Sequence, residues 1–230
     1  MLQKTRGIVL NYIKYRETSI IARVYTENFG IQSYIINSVR SQRSKKGLAL
    51  LQPLTILDMV VYFKNQKADG LQRISEYKPA HSFTSIPFDV KKSAIALFVT
   101  ELLTKVLKEE QDQGQVFEFL FQFILNLDQR KDAYESLHLY LMIQLTHYIG
   151  FGIHSKKDLD NNGILHELST SYEDIYDGVL MLNSSSLSDQ FEISNPLRRD
   201  VLNYMIAYYK LHVEGFRELK SLDVLTQIFR

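Results

Sequence analysis

Arg40, Arg43, Lys45 and Lys46 put four cations into seven residues. The chemistry such a cluster performs is the neutralisation of phosphates. Arg6, Lys14 and Arg23 precede it and extend the positive charge, and Tyr15, Tyr34 and Tyr62 supply rings on which bases could stack. From these, Arg6, Lys14, Arg23, Tyr34, Arg40, Arg43, Lys45 and Lys46 form the candidate nucleic-acid contact. The competing reading of the same residues is a solvated loop above a core that contains the tyrosines. Catalytic patterns are missing by contrast. No Gly-x-x-x-x-Gly-Lys-Ser/Thr phosphate loop and no Gly-x-Ser-x-Gly elbow occurs. Gly150-Phe151-Gly152 follows a helical pattern and reads as a helix end. Histidines 81, 138, 147, 154, 166 and 212 never stand four apart, as a helical zinc pair requires. Glu109-Glu110 and Asp158 with Asp160 sit where solvated charge is the default. The sequence therefore predicts no enzyme, no catalytic residue, no cofactor and no metal.

The charge that could serve this chemistry is unevenly spread. Residues 1–80 hold 13 Lys and Arg against 5 Asp and Glu, and residues 81–230 hold 14 against 21, so +8 and −7 give the overall +1. A basic front on an acidic back suggests a polyanion at one end and protein partners at the other. With 45% hydrophobic residues the chain has ample material for a core, and with no cysteine it forms no disulfide and no thiolate metal site. No secretory leader and no membrane-length apolar run is apparent, so a soluble, cytoplasmic protein with no membrane association is expected.

Two kinds of element must position these residues. Up to residue 80 the pattern is of strands: 7–15, 19–26, 31–39, 54–63 and 71–77, with turns at Asn28-Phe29-Gly30 and Asp69-Gly70 and one helical turn at 47–51. Five strands with a helical turn between the third and fourth predict an OB-fold barrel, with an SH3-like barrel as the alternative. From 81 to 230 helices dominate: 89–110 capped by Asp89, 115–127, 132–150 capped by Asp132, 195–209 with Asn195 as cap and Pro196 in the first turn, and 221–228. Residues 151–195 lose periodicity and read as mostly irregular. The fold class is α+β, with an OB domain at 1–80 and a helical domain at 81–230. The apolar segment 116–125 reads as a central helix or as a docking groove for a partner peptide.

Several short blocks in register then resemble the bacterial DNA repair RecO family: Gly7-Ile8-Val9-Leu10, Tyr15-Arg16-Glu17-Thr18-Ser19, Tyr25-Thr26-Glu27 with Phe29-Gly30, Val39-Arg40, Leu51-Gln52-Pro53-Leu54, and Leu219-Lys220-Ser221 with Leu225. The resemblance implies an N-terminal OB fold, a helical C-terminal domain, and a recombination mediator. Such a mediator binds single- and double-stranded DNA and anneals complementary strands. With RecR it helps load RecA onto DNA coated by single-stranded DNA-binding protein (SSB). The acidic, apolar-ended SSB tail docks on the helical domain, for which Lys91, Lys92, Lys105 and Lys108 are the candidate contacts. It also implies a bacterial cytoplasmic protein, nucleoid-associated during repair. One departure stands out. Many members carry a four-cysteine zinc ribbon where this chain has residues 152–182 without a cysteine, and His154 and His166 cannot replace four ligands, so that segment must be held by packing. An RNA-binding OB protein of ribosome or tRNA metabolism, and a helical scaffold that binds no nucleic acid, remain as alternatives.

Overall fold

A computed structural model describes residues 1–40, 45–62, 71–107, 113–159 and 170–229. It divides into two compact units: one contains Met1–Thr84 with Leu107–Gln122, the other Ser85–Val106 with Phe123–Arg230. The expected cut at residue 80 did not foresee that residues 107–122 join the barrel unit.

The first unit contains strands β1 (Leu2–Tyr15), β2 (Ser19–Thr26), β3 (Gly30–Ile36), β4 (Ile56–Tyr62) and β5 (Gln72–Pro79), with the short helix α1 (Lys45–Ala49) between β3 and β4. They close in the order β1-β2-β3-β5-β4, with β4 returning to β1. This is the five-stranded OB barrel that the sequence predicts. β1 serves two neighbours: its first half pairs with β4 and its second with β2, overlapping around Gly7 and Ile8. A Cβ at Gly7 would stand 2.5 Å from Met59 Cε and 2.6 Å from Val24 Cγ1, so only glycine lets β1 pass there. Val9, Ile20, Ala22, Val24, Tyr34 and Val61 fill the interior. Alternation along β2 decides this, because Ile20, Ala22 and Val24 share one face.

The second unit is helical. α2 (Val90–Val106) starts at Asp89, whose Oδ1 accepts from the Lys91 and Lys92 amides at 2.8 and 3.1 Å, as expected of a cap. α3 (Gln113–Gln129) gives its residues to Gln122 to the barrel unit and the rest to the helical one. α4 (Leu137–Tyr148) has nine of its twelve residues buried and is the central helix. Its N-cap is Ser136, beyond the expected Asp132 cap, and between the two Ala133 turns the chain with φ 49°. α5 (Lys156–Leu159) and α6 (Tyr172–Ser184) lie in the stretch expected to be irregular. α6 is a correction: Ser171 and Asp174 form a reciprocal capping box that starts thirteen helical residues. Gly178 does not end it. A Cβ there would lie 3.4 Å from Val201, so this glycine marks close packing of α6 on α7 (Asn195–His212). The cap of α7 is Ser194, with Asn195 already helical. α8 (Ser221–Ile228) packs along α2.

Residues 151–159 are fastened by phenols. Tyr204 donates to the Leu159 carbonyl at 2.5 Å and Tyr208 to the Phe151 carbonyl at 3.1 Å, while Tyr209 donates to the Met142 carbonyl at 2.8 Å. Asn183 Nδ2 adds a bond to the Ile153 carbonyl at 2.8 Å. Among the described residues no helix is long and apolar enough to cross a membrane.

Candidate nucleic-acid interface

Residues paired across an antiparallel ladder project to the same face. Asn11, Arg23 and Ser33 are paired across β1, β2 and β3, and so are Ile13, Ile21 and Ile35. Their neighbours Ala22 and Tyr34 point into the core, which puts both rows on the barrel's exterior. β5 extends the second row, since Ile35 pairs with Arg73, which in turn pairs with Tyr62 of β4. Ile13 is 61% exposed, and Ile21 and Ile35 are half-buried. The outer wall is thus an apolar strip flanked by Arg23 and Arg73.

The chain ends of the strands bring further cations to this wall. The turn between β1 and β2 holds Arg16, with φ 50° and its guanidinium 5.2 Å from the Tyr15 ring. Arg40 is tied to that turn by its amide, which donates to the Thr18 carbonyl at 3.0 Å, and by Nη1, which donates to the Arg16 carbonyl at 3.3 Å. Lys14 is exposed and pairs with the inward-facing Ile20, so it stands at the barrel mouth rather than on the wall.

Two members of the sequence-derived set leave it. Tyr34 is 1% exposed and lies in the barrel core, where burial pushes its hydroxyl well above the usual tyrosine range, so it cannot stack on a base. Arg6 is already neutralised. It donates to both Glu27 oxygens at 2.9 and 2.7 Å and to Glu118 at 3.3 Å, and its guanidinium covers the Phe117 and Phe121 rings at 5.1 and 4.7 Å. The Glu27 bond holds the guanidinium above, and the Glu27 carboxyl below, their ordinary values. Arg43 lies outside the described residues, as do the side chains of Lys45 and Lys46 at the start of α1. Sequence reasoning missed Arg16 and Arg73. Arg16 was legible in the turn; Arg73 was not, because its place depends on the parallel pairing of β3 and β5.

The helical unit offers a second surface. A cavity of about 150 Å³ is lined by His138, Arg198, Arg199, Leu202, Leu225 and Phe229. Asn195 and Pro196, the first turn of α7, also border it, and Ser194 gives that turn no side-chain cap. An uncapped helix start beside two arginines attracts a carboxylate, and the leucines and Phe229 attract an apolar side chain. The Phe229 ring lies between Arg198 at 5.6 Å and Lys91 at 5.8 Å.

Of the described lysines expected to meet a partner, Lys91 stands near this cavity, and it also pairs with Glu135 at 3.4 Å. Lys92 is a correction. It is 3% exposed, and its ammonium donates to Ser85 Oγ at 2.7 Å and to the Asp128 and Arg130 carbonyls at 3.1 and 2.5 Å. Lys105 is likewise spent within the fold, on the Arg217 carbonyl at 3.1 Å, the Glu218 carbonyl and Glu101. Lys108 lies outside the described residues. Among the described residues, no three His, Asp or Glu side chains are grouped to hold a metal.

Residues 1–83 match the family model described as recombination protein O N terminal, and residues 87–176 match recombination protein O C terminal. The chain is 33% identical over 243 aligned residues, covering all of both chains, to the DNA repair protein RecO of Bacteroides fragilis. It is 32% identical over 242 residues, covering 98% of each chain, to the DNA repair protein RecO of Flavobacterium psychrophilum.

Proposed function

The chain belongs to the recombination protein O family, and from that premise we propose that it is a DNA repair mediator acting by positioned charge rather than by bond chemistry. It binds single- and double-stranded DNA on the outer wall of the barrel and anneals complementary strands. With RecR it helps load RecA onto SSB-coated DNA, in the bacterial cytoplasm and at the nucleoid during repair.

The observation that carries this reading is the register that lines up Ile13, Ile21 and Ile35 beside Arg23 and Arg73, with Arg16 and Arg40 at one end. Cations hold phosphates while an apolar strip receives unstacked bases, and two strands held side by side are screened from one another as they pair.

A salt-titrated annealing assay on SSB-coated strands, with and without RecR, tests it. Neutralising Arg16, Arg23, Arg40 and Arg73 together is expected to flatten the log–log salt dependence of single-strand binding by about 3, at roughly 0.7 for each phosphate that is no longer neutralised. The loop set Arg40, Arg43, Lys45 and Lys46 forms a second variant. A salt slope unchanged in both variants removes the barrel wall and its loop from the DNA site.

The cavity between α4, α7 and α8 is the seat we assign to the SSB tail. Its uncapped helix start and Arg198 suit the terminal carboxylate, and Leu202, Leu225 and Phe229 suit the terminal apolar side chain. On this reading a net-acidic body takes an acidic tail because the charge that matters is local. A tail peptide lacking its terminal apolar residue is expected to lose binding in fluorescence anisotropy; equal binding of both peptides refutes the pocket.

A further inference from the structure

We propose that Tyr62 is the residue by which the barrel wall distinguishes single strands from duplex, and that losing the base stacked on it helps to release an annealed product. The inference rests on the DNA-binding reading above. Cross-strand pairing carries the outer row beyond its isoleucines. From Ile13, Ile21 and Ile35 it continues through Arg73 to Tyr62, and Tyr62 pairs with Leu2 at the start of β1. β1 thus supplies both ends of a row of six residues. Neighbouring strands lie about 4.8 Å apart, so the row spans roughly 24 Å of the wall. Its two halves differ in chemistry. The half on β1, β2 and β3 is aliphatic, whereas the half on β5 and β4 offers a cation and a ring. Val61 points into the core, so Tyr62 faces outward, and it is 46% exposed beside Leu2 at 53%. No hydrogen bond, ion pair or ring contact engages the Tyr62 side chain among the described residues. The alternatives are less open: Tyr34 lies in the core, and the Tyr15 ring is half-buried with the Arg16 guanidinium 5.2 Å away.

An exposed ring beside a cation suits one state of the nucleic acid. A base in a single strand can leave its neighbours and lie on the phenol, while Arg73, paired with Tyr62, holds a phosphate. In a duplex each base is paired and stacked inside the helix, so it does not reach the ring, although the phosphates still meet the cations. Tyr62 therefore adds affinity for separate strands alone, and the difference between the two affinities is the selectivity of the wall. When two strands held on the wall pair, that contribution disappears as the product forms. The duplex then leaves more readily than the strands that made it, which frees the wall for another pair.

The test uses the full chain with a short mixed-sequence single strand, its duplex, and a strand of the same length whose sugars carry no bases. Tyr62→Leu is expected to weaken single-strand binding about tenfold, in the lower part of the range for one stacked base, and to leave duplex binding within about twofold. Its salt dependence should match that of the parent, because no phosphate contact is removed. Tyr62→Phe keeps the ring and is expected to stay within about threefold of the parent. On the abasic strand the parent and Tyr62→Leu are expected to bind equally, since no base is left to stack. In annealing, unlabelled duplex should inhibit Tyr62→Leu at about a tenfold lower ratio of duplex to single strand than it inhibits the parent. Unchanged single-strand affinity in Tyr62→Leu, an equal loss on the duplex or on the abasic strand, or equal inhibition by duplex overturns the role of Tyr62 and leaves the charged wall standing. Failure of the parent to bind either DNA overturns the DNA-binding reading and this inference with it.

Discussion

Replacing Lys92 by methionine is expected to cost the helical unit about 3–4 kcal/mol, the range for removing one member of a buried charged cluster. The substitution keeps the length and most of the packing of the side chain, so the loss reports the ammonium alone. That group holds three acceptors from separate parts of the unit: Ser85 Oγ, the Asp128 carbonyl at the end of α3, and the Arg130 carbonyl just beyond it. The Asp128 carboxylate, 2% exposed as a residue, accepts from the Ser85 and Ile86 amides at 2.9 and 3.0 Å and depends on the same cation. Without the ammonium, the Asp128 and Arg130 carbonyls each lose a bond, and the Asp128 carboxylate keeps its amide donors but loses a nearby positive charge. Burial already holds the Lys92 ammonium below the usual lysine value, with Asp89 and Asp128 opposing that effect. Urea unfolding followed by helical circular dichroism measures the change. A loss below about 1 kcal/mol would mean that the cluster relaxes to reach solvent, and would make Lys92 a candidate partner contact again.

The second large effect is expected at Glu101. Its carboxylate, on α2, accepts from the Lys220 amide at 3.1 Å, the Ser221 amide at 2.8 Å and Ser221 Oγ at 2.6 Å. It thus caps α8 from another helix, since Lys220 supplies no side-chain cap of its own. Glu101→Ala is expected to cost about 2–3 kcal/mol, a charged cap with more than one bond. It is also expected to weaken tail-peptide binding more than tenfold, because Leu225 and Phe229 ride on this helix and form a wall of the pocket. The pH dependence has a definite sign. Burial alone would raise the Glu101 carboxyl, but the bonds from Ser221 and Lys220, with Lys105, outweigh it and hold the group below its usual 4.5. A depressed carboxyl stabilises the fold above its unfolded value and loses that contribution as pH falls through the folded one. The contribution of Glu101 to holding α8 should therefore be present above about pH 4.5 and lost below it, a step absent in Glu101→Ala. Hydrogen exchange at the α8 amides follows the same loss directly.

Much of the barrel was legible in the chain because its signals are local. Asn28-Phe29-Gly30 does turn the chain, with Gly30 at φ 62°, and the alternation of Ile20, Ala22 and Val24 does choose the inner face. The same alternation places Tyr34 inside, opposite Ala22, and so removes it from the surface. Arg6 reads as a free cation until Glu118 arrives from 112 residues away, a meeting no spacing rule contains. α6 was hidden for a different reason. Asp177-Gly178 looks like a turn, yet the glycine is there to admit Val201 and Leu197 of a neighbouring helix. The signal that could have found it was the Ser171–Asp174 capping box, four residues long and easily passed over in a serine-rich stretch. The pocket had a clearer trace: Asn195-Pro196 announces a helix start, and the arginine pair Arg198-Arg199 follows within one turn. What the chain alone could not supply was His138 and Phe229, brought to that turn by α4 and α8.

The three phenols of α7 have a consequence for where this protein can work. Burial holds Tyr208 and Tyr209 above the usual tyrosine range, so both are protonated donors at neutral pH. A cysteine ribbon in the same place is exposed to peroxide, which converts thiolates to sulfenic and higher acids, and to competing metals. Bonds from a neutral hydroxyl to a backbone carbonyl contain no thiolate for an oxidant to attack and nothing for a chelator to withdraw. The chain has no cysteine elsewhere, which leaves its five methionines as the sulfur that peroxide can oxidise. Peroxide thus leaves these hydroxyl-to-carbonyl bonds in place under conditions that dismantle a thiolate ribbon.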